Sequence, residues 1–257
     1  CILCISSICK VKKLNNFYFF SMSKTETIFG LHASIALLTN PERKVVQINC
    51  TNEFFKNYAK LLKKFNPKII NILDRKVINN KLDNNIHQGI FVVSEKRKMK
   101  NLDSLESNEE IVLMLDSLND SQNVGSILRT AFLFGVRSVI FNKDNSFKIN
   151  PFLIKAASGA YEGINLIEAT NLVRSIEILK KKGYWIVGLD INSKNNLEEI
   201  PKKTNKVFVF GSEKKGIRKL ILNNCDFLAK IDLPKKNNII DSLNVSNSVA
   251  IVLNKFQ

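Results

Sequence analysis

From Ile111 onward, short apolar segments alternate with segments of helical periodicity, and this alternation constrains the fold more than any other feature of the chain. Residues 111–115, 139–141, 185–189 and 207–210 read as strands. Residues 124–134, 172–182 and 245–256 read as helices. A strand that is apolar at nearly every position must be covered on both faces. Strands joined through helices run parallel. The expected fold class is therefore α/β, with a mainly parallel sheet and helices on both faces. In such sheets ligands bind beyond the carboxyl ends of the strands, so chemistry is expected in the loops after Leu115, Phe210 and Leu233.

The N-terminal portion follows a different pattern. Residues 28–40 read as a short helix behind Gly30, and residues 45–48, 69–73 and 90–93 as strands, the last after His87-Gln88-Gly89. Phe54, Phe55, Tyr58, Leu61, Leu62 and Phe65 recur at helical spacing, with Lys56, Lys60, Lys63 and Lys64 on the opposite face. That cationic run suits an RNA-facing surface and a merely solvated helix face equally. A small α/β domain is expected over residues 22–95, a polar linker over 96–109 and a second domain over 110–257. Residues 1–21 carry three lysines and no acid, without the apolar core and cleavage site of a secretion signal. They are expected to be a disordered or non-native extension, with Met22 as the biological start.

Charge narrows the partner. Among 257 residues, 39 are basic and 23 acidic, a formal net charge of +16. Such a surplus favours a polyanion, although the abundance of Lys, Asn and Ile also fits a biased genome. Hydrophobic residues at 45% and charged residues at 24% exclude a largely disordered chain. Five cysteines are an odd number and form no disulfide framework, which points to a reducing, cytoplasmic setting. Cys1 and Cys4 form a C-x-x-C without a second Cys/His pair nearby, so no metal is expected. No apolar run approaches the length of a membrane span.

The usual nucleotide and hydrolase signatures fail. Gly211 to Gly216 has P-loop glycine spacing, but Ile217 and Arg218 stand where Lys and Ser/Thr are needed. There is no G-x-G-x-x-G, no G-x-S-x-G, and only two histidines, His32 and His87. Three polar segments at strand ends remain. Asp116 to Ala131 contains Asn123-Val-Gly125-Ser-Ile-Leu-Arg129-Thr-Ala131. Phe210 is followed by Gly211-Ser212-Glu213-Lys-Lys-Gly216, a glycine turn that would let a ligand approach the backbone, with Glu213 where a helix begins. Asp241-Ser242-Leu243-Asn244-Val245-Ser246 opens the last helix with capping residues and free N–H groups. Taken singly, Asn123 and Ser242 could be helix caps and Glu213 a favourable charge at a helix dipole. Three such loops in one sheet, in this order, favour a site.

These segments (N-V-G-S-I-L-R-T-A, F-G-S-E-K-K-G and S-L-N-V-S) resemble the three motifs of the SpoU, or TrmH-like, branch of the SPOUT RNA ribose 2′-O-methyltransferases. The resemblance extends over residues 28–257. Ile28-Phe-Gly-Leu-His-Ala33, Ile86-His-Gln-Gly89, Ala156-Ala-Ser-Gly-Ala160, Asn171-Leu-Val-Arg174 and Trp185-Ile-Val-Gly188 look like the subgroup acting on a guanosine of bacterial 23S rRNA. The resemblance implies a trefoil knot in the C-terminal domain, a small L30e-like N-terminal domain, a homodimer, and S-adenosylmethionine as cofactor without a metal. By position it implies that Gly211, Leu243 and either Ile231 or Leu233 line the cofactor pocket. It likewise implies that Asn123, Arg129, Glu213, Ser242 and Asn244 are catalytic or substrate-binding. One segment departs: residues 231–242 are longer than the family's pattern, which leaves Ile231 and Leu233 as alternatives for the adenine contact. The resemblance allows Arg129 to be a base or an electrostatic stabiliser, and the persistent charge of a guanidinium favours the second. A tRNA methyltransferase and a non-catalytic RNA-binding protein of the same fold are the alternative functions.

Overall fold

The computed structural model describes residues 24–106, 109–202, 204–233 and 243–256. The expected extension over residues 1–21 lies outside them, as does Ser242. The chain divides into two compact units, one ending at Arg97 and the other starting at Lys98.

The first unit is a four-stranded sheet of order β1-β4-β2-β3, formed by β1 (Thr25–Phe29), β2 (Val45–Cys50), β3 (Ile70–Ile72) and β4 (Ile90–Glu95). β4 runs antiparallel to both β1 and β2, and β2 runs parallel to β3. The short helix read behind Gly30 is α1 (Leu31–Thr39), while Ile28 and Phe29 end β1; the two elements are separated at Gly30, whose φ of 99° only glycine adopts freely. The helix expected across Phe54 to Phe65 is broken at Tyr58 (φ −115°, ψ 23°). It becomes α2 (Asn52–Asn57), capped by Thr51, and a single turn over Ala59–Leu62. The rings of Phe54 and Tyr58 stack at 4.4 Å across the break. α3 (Arg75–Lys81) buries Ile78 against Phe29 and Phe91.

The second unit carries six strands: β5 (Ile111–Asp116), β6 (Ser138–Asn142), β7 (Asn165–Ala169), β8 (Trp185–Leu189), β9 (Lys206–Gly211) and β10 (Phe227–Ala229). Their order is β10-β8-β9-β5-β6-β7 and every neighbouring pair is parallel. The apolar strands 111–115 and 207–210 therefore lie side by side at the sheet's centre. Four helices accompany the sheet: α4 (Ser121–Leu133), α5 (Pro151–Ala157), α6 (Leu172–Lys181), which packs on β8, and α7 (Val245–Phe256), which packs on β9. Single turns follow at Ala160–Gly163 and Lys219–Leu222. Side-chain carboxylate or amide oxygens cap three of the helices: Asp120 for α4, Asn150 for α5 and Asn171 for α6.

α4 packs against both α5 and α7. A Cβ on Gly125 would come within 2.5 Å of Ala156 Cβ and 2.7 Å of Leu153 O, so the α4–α5 contact requires glycine. Residues 98–106, part of the stretch read as a linker, belong to this unit. Lys100 bridges Ile167 in parallel, and Leu105 joins the core beside Ile140 and Ile167. At the opposite edge of β9, the ammonium of buried Lys206 donates to the carbonyls of Lys202 and Thr204 and lies 5.6 Å from the ring centre of Phe256.

The His87 turn sets a pH limit on the first unit. His87 is buried; its Nδ1 accepts from the Gly89 N–H at 3.0 Å and its Nε2 faces Asn79 Oδ1 at 2.8 Å. Burial, and secondarily the charge of Arg75, lower its pKa from the ordinary 6.5. The unfolded imidazole thus takes up a proton at a pH where the folded one resists it, and folding stability falls as pH drops below about 6.5. Denaturant titrations at pH 7.5 and pH 5 should show that loss for the native chain. His87→Asn keeps an acceptor for the Gly89 N–H without titrating and should show a smaller pH dependence.

Candidate cofactor and catalytic site

The site is assembled at the carboxyl edge of the six-stranded sheet, where β5 and β9 end together with Asp116 opposite Gly211. Asp116 is fully buried. Its carboxylate accepts from the Arg218 backbone N–H at 2.8 Å, from Arg218 Nε at 2.7 Å and from Ser117 Oγ at 3.0 Å. Ser117 turns the chain away with φ 58°, its N–H donating to Asn142 Oδ1 at 3.1 Å. The end of β5 is thereby tied to the loop after β9.

That loop closes on itself. Ser212 and Gly216 exchange backbone hydrogen bonds of 3.2 and 2.8 Å, and Ile217 is buried behind them. A Cβ on Gly211 would lie 2.1 Å from Gly216 C and 2.2 Å from Ile217 N. The glycine is needed for the approach of the loop's own backbone, whether or not a ligand also approaches it. Glu213 sits in the tight turn rather than at a helix start, and its exposed carboxylate accepts from Asn123 Nδ2. Asn123 is free to make this bond because Asp120, not Asn123, caps α4, accepting from the Asn123 N–H at 2.7 Å. Asn244 Nδ2 donates to Asn123 Oδ1 at 2.9 Å, while Asn244 Oδ1 caps α7 through the Ser246 N–H at 2.9 Å and Ser246 Oγ at 2.6 Å. Asn244, Asn123 and Glu213 thus form one polar strip joining two helix N-termini and a strand-end loop.

Beside the strip lies a cavity of about 600 Å³, within the range of small-molecule sites. Gly211, Glu213, Ile231, Leu233 and Leu243 all line it. Its remaining walls include Leu189 at the end of β8 and Asp190, Ile191 and Asn192 from the loop that follows, which the sequence reading left out. The signal was present: Asp190 stands directly after an apolar strand, the position already singled out after the other strands. Arg129 is not on the cavity wall. It lies within the second half of α4, exposed, its side chain without a hydrogen bond or ion pair among the described residues. Six residues separate it from Asn123, which puts the two about 120° apart around the helix. Among the described residues, no group of three or more His, Cys, Asp or Glu side chains could hold a metal ion.

The Asp116–Arg218 tie can be tested directly. Arg218→Ala leaves a buried carboxylate with fewer donors, a loss of about 1–3 kcal/mol where the acceptor cannot reach water. A lowered denaturant midpoint with an unchanged slope should accompany weaker ligand binding in the cavity. Arg218→Lys should recover little, because an ammonium cannot repeat the fixed Nε contact.

A model of the SpoU rRNA methylase family matches residues 110–254. The 23S rRNA (guanosine-2′-O-)-methyltransferase RlmB of Coxiella burnetii is 36% identical over 248 residues, 92% of this chain and 96% of that protein. The protein of the same name from Shewanella oneidensis is 32% identical over 90% of this chain and 96% of its own length. Among solved structures, an AdoMet-bound rRNA methyltransferase from Sinorhizobium meliloti superposes with a TM-score of 0.75 at 21% identity, covering 90% of this chain and 85% of that one. The SpoU methyltransferase AviRb from Streptomyces viridochromogenes gives 0.76 at 14% identity, over 91% and 88%. These structures share the fold, and the family match together with the close relatives shows that the chain belongs to the SpoU rRNA methylase family.

Proposed function

We propose that the chain is an RNA ribose 2′-O-methyltransferase that transfers a methyl group from S-adenosylmethionine to a guanosine of 23S rRNA. One observation carries this reading: the Glu213–Asn123–Asn244 strip stands at the rim of a cavity of about 600 Å³ at the sheet's carboxyl edge. The RlmB enzymes to which the chain is 36% and 32% identical are named for that reaction. Charge agrees with it. Sixteen basic and six acidic residues up to Arg97 give +10, and twenty-three and seventeen beyond it give +6.

The cavity suits the cofactor. Ile217, Ile231, Leu233 and Leu243 offer an apolar wall for adenine, and Asp190 and Glu213 offer carboxylates for hydroxyls or a sulfonium. A Cβ added at Gly216 would meet nothing within 4 Å, so this rim is open. When bound, the cofactor supplies an electrophilic methyl group. The protein must then orient a ribose 2′-oxygen and stabilise the charge it develops. Glu213 and Asn123 would hold the hydroxyl, with Asn244 fixing Asn123, and the hydroxyl proton would pass to the exposed Glu213 carboxylate or through it to solvent as the oxygen takes the methyl group. The exposed Arg129 guanidinium would hold a neighbouring phosphate and stabilise the forming alkoxide. Ser242, placed by the family resemblance, would contact a phosphate.

The finer features of the reading are the trefoil knot in the C-terminal unit, the L30e-like character of the first unit, a homodimer and a cytoplasmic location. The passage of α7 back against α4 and β9 supports the knot. Phe132, Leu133 (76% exposed), Phe152 and Ile251 support the dimer: they are exposed apolar side chains on α4 and on the two helices packed against it. The free thiols of Cys50 and Cys225, and an RNA substrate, support the cytoplasm. No helix among the described residues is long and apolar enough to cross a membrane.

Transfer of label from S-adenosylmethionine to purified rRNA and tRNA, with mapping of the modified nucleotide, tests the function. Modification of one 23S guanosine ribose is expected; label only in tRNA, or none, overturns the proposal. Arg129→Ala should reduce turnover by about 10²–10³-fold, the range for a lost oxyanion donor, with cofactor affinity unchanged. Leu243→Arg should abolish cofactor binding in calorimetry, because a long charged side chain would enter an apolar wall.

A further inference from the structure

The first unit carries a second cavity, remote in sequence from the residues of the candidate cofactor and catalytic site. It is a groove of about 470 Å³ lined by Phe55, Ala59 and Leu62 from the broken helix, Phe65 and Pro67 from the following turn, Ile70 and Ile72 from β3, and Lys63. Ile72 is 51% exposed, an unusual position for an isoleucine on a sheet edge. Lys56, Lys60, Lys64 and Lys68 each follow a lining residue directly in sequence. With Lys63 they make five exposed lysines, none in an ion pair among the described residues. No acidic residue occurs between Glu53 and Asp74. An apolar slot ringed by cations has the chemistry of a single-stranded nucleic-acid site, in which a base sits on apolar or aromatic side chains and lysines follow the phosphates.

We propose that this groove is a substrate-recognition subsite that takes one unstacked base of a single-stranded RNA segment. The inference deepens the function proposed above and rests on it for the class of ligand. Charge selects RNA over a second copy of the chain. A two-fold contact through this face would bring the same five lysines against one another, and like charges across an interface oppose association. It also selects a single strand over a duplex. Paired bases are stacked inward and could meet only the lysines, leaving Phe65 and Ile72 without a partner. The division of the long helix at Tyr58 has a place in this account. A helix continued straight through residue 58 would carry Ala59 and Leu62 in a different direction relative to β3, against which they now form the slot.

The test uses the full chain and two fluorescent probes of one mixed sequence, a short RNA single strand and its fully paired duplex. Phe65→Ala should weaken the single strand about tenfold, within the range for loss of one stacked base, and leave the duplex unchanged. Ile72→Ala should act in the same direction by a smaller factor. Because that side chain is half exposed, its truncation spares the fold, which thermal melts of both variants verify. Neither change should alter the slope of log affinity against log salt. Lys60→Glu combined with Lys64→Glu should weaken both probes and flatten that slope. Apolar variants that weaken both probes equally, or neither, overturn the subsite. Loss of self-association in sedimentation with RNA affinity intact also overturns it, by giving the groove to a second copy. Methyl transfer by the native chain is read separately. If it methylates rRNA while the groove variants bind as the native chain does, only this inference fails. If it transfers no methyl group while single-strand preference follows Phe65 and Ile72, the proposed function fails and the groove stands.

Discussion

Asp116 holds a charge at a point with no access to water, and the ligand edge of the second unit is arranged around that fact. An unpaired buried carboxylate is too costly to persist, so donors must converge on it. They come from Ser117 and twice from Arg218, which lies beyond the whole of the loop after β9. Bringing Arg218 to the end of β5 folds residues 211–217 into a closed turn. That turn is so tight that Gly211 has no room for a Cβ and Ile217 is driven into the core. Glu213 projects from the turn's far side, where Asn123 and through it Asn244 meet it. One buried carboxylate, paired with a half-exposed guanidinium, thus fixes the backbone from which the polar strip is presented. Its contribution is to geometry more than to net stability, since the attraction is largely spent on the desolvation of Asp116.

The sheet makes this arrangement stiff. β5 and β9 are central neighbours, apolar along most of their length and covered on both faces, so their carboxyl ends cannot shift independently. The cavity falls on one side of this pair, under the loops after β8, β9 and β10. The strip falls at the pair itself. The cavity and the polar strip are therefore adjacent consequences of one strand order, built on strand ends and helix N-termini.

The alternation of apolar strands and helices made the second unit legible, because burial on both faces writes a pattern that neighbouring residues show by themselves. Strands β7 and β10 and helix α5 went unread. β7 contains Asn165 and Glu168, β10 is three residues long, and α5 is cut short by Ser158 at φ 57°. The candidate site was legible as residue types after strands. Its connections were not: Asp116 and Arg218 lie 102 positions apart, and Asn123 and Asn244 lie 121 apart. Nothing local distinguishes Asp120 from Asn123 as the cap of α4, yet that choice decides whether Asn123 can reach Glu213. Gly211 shows the same limit from the other side. The sequence shows that a glycine is needed there, and only the packing shows that the chain's own backbone is what needs the space.

A ribose hydroxyl is the same group on every nucleotide, so the site proposed from Glu213, Asn123 and Asn244 would position it without choosing among nucleotides by its chemistry. Discrimination must come from shape and from bases that are unpaired and accessible, since the grooves of paired RNA offer little sequence information. Charge alone is no help either, because phosphates carry no sequence. A +10 surplus in the residues up to and including Arg97 supplies affinity that any RNA would share. For this chain to act on one nucleotide, some part of it must contact bases with apolar or hydrogen-bonding surface inside that cationic field. Within the first unit, the slot between Phe65 and Ile72 combines a lysine surround with apolar surface open to solvent. The chemistry and the choice of target are then separate physical problems, the first met by buried charge and strand ends, the second by apolar surface left deliberately uncovered among cations.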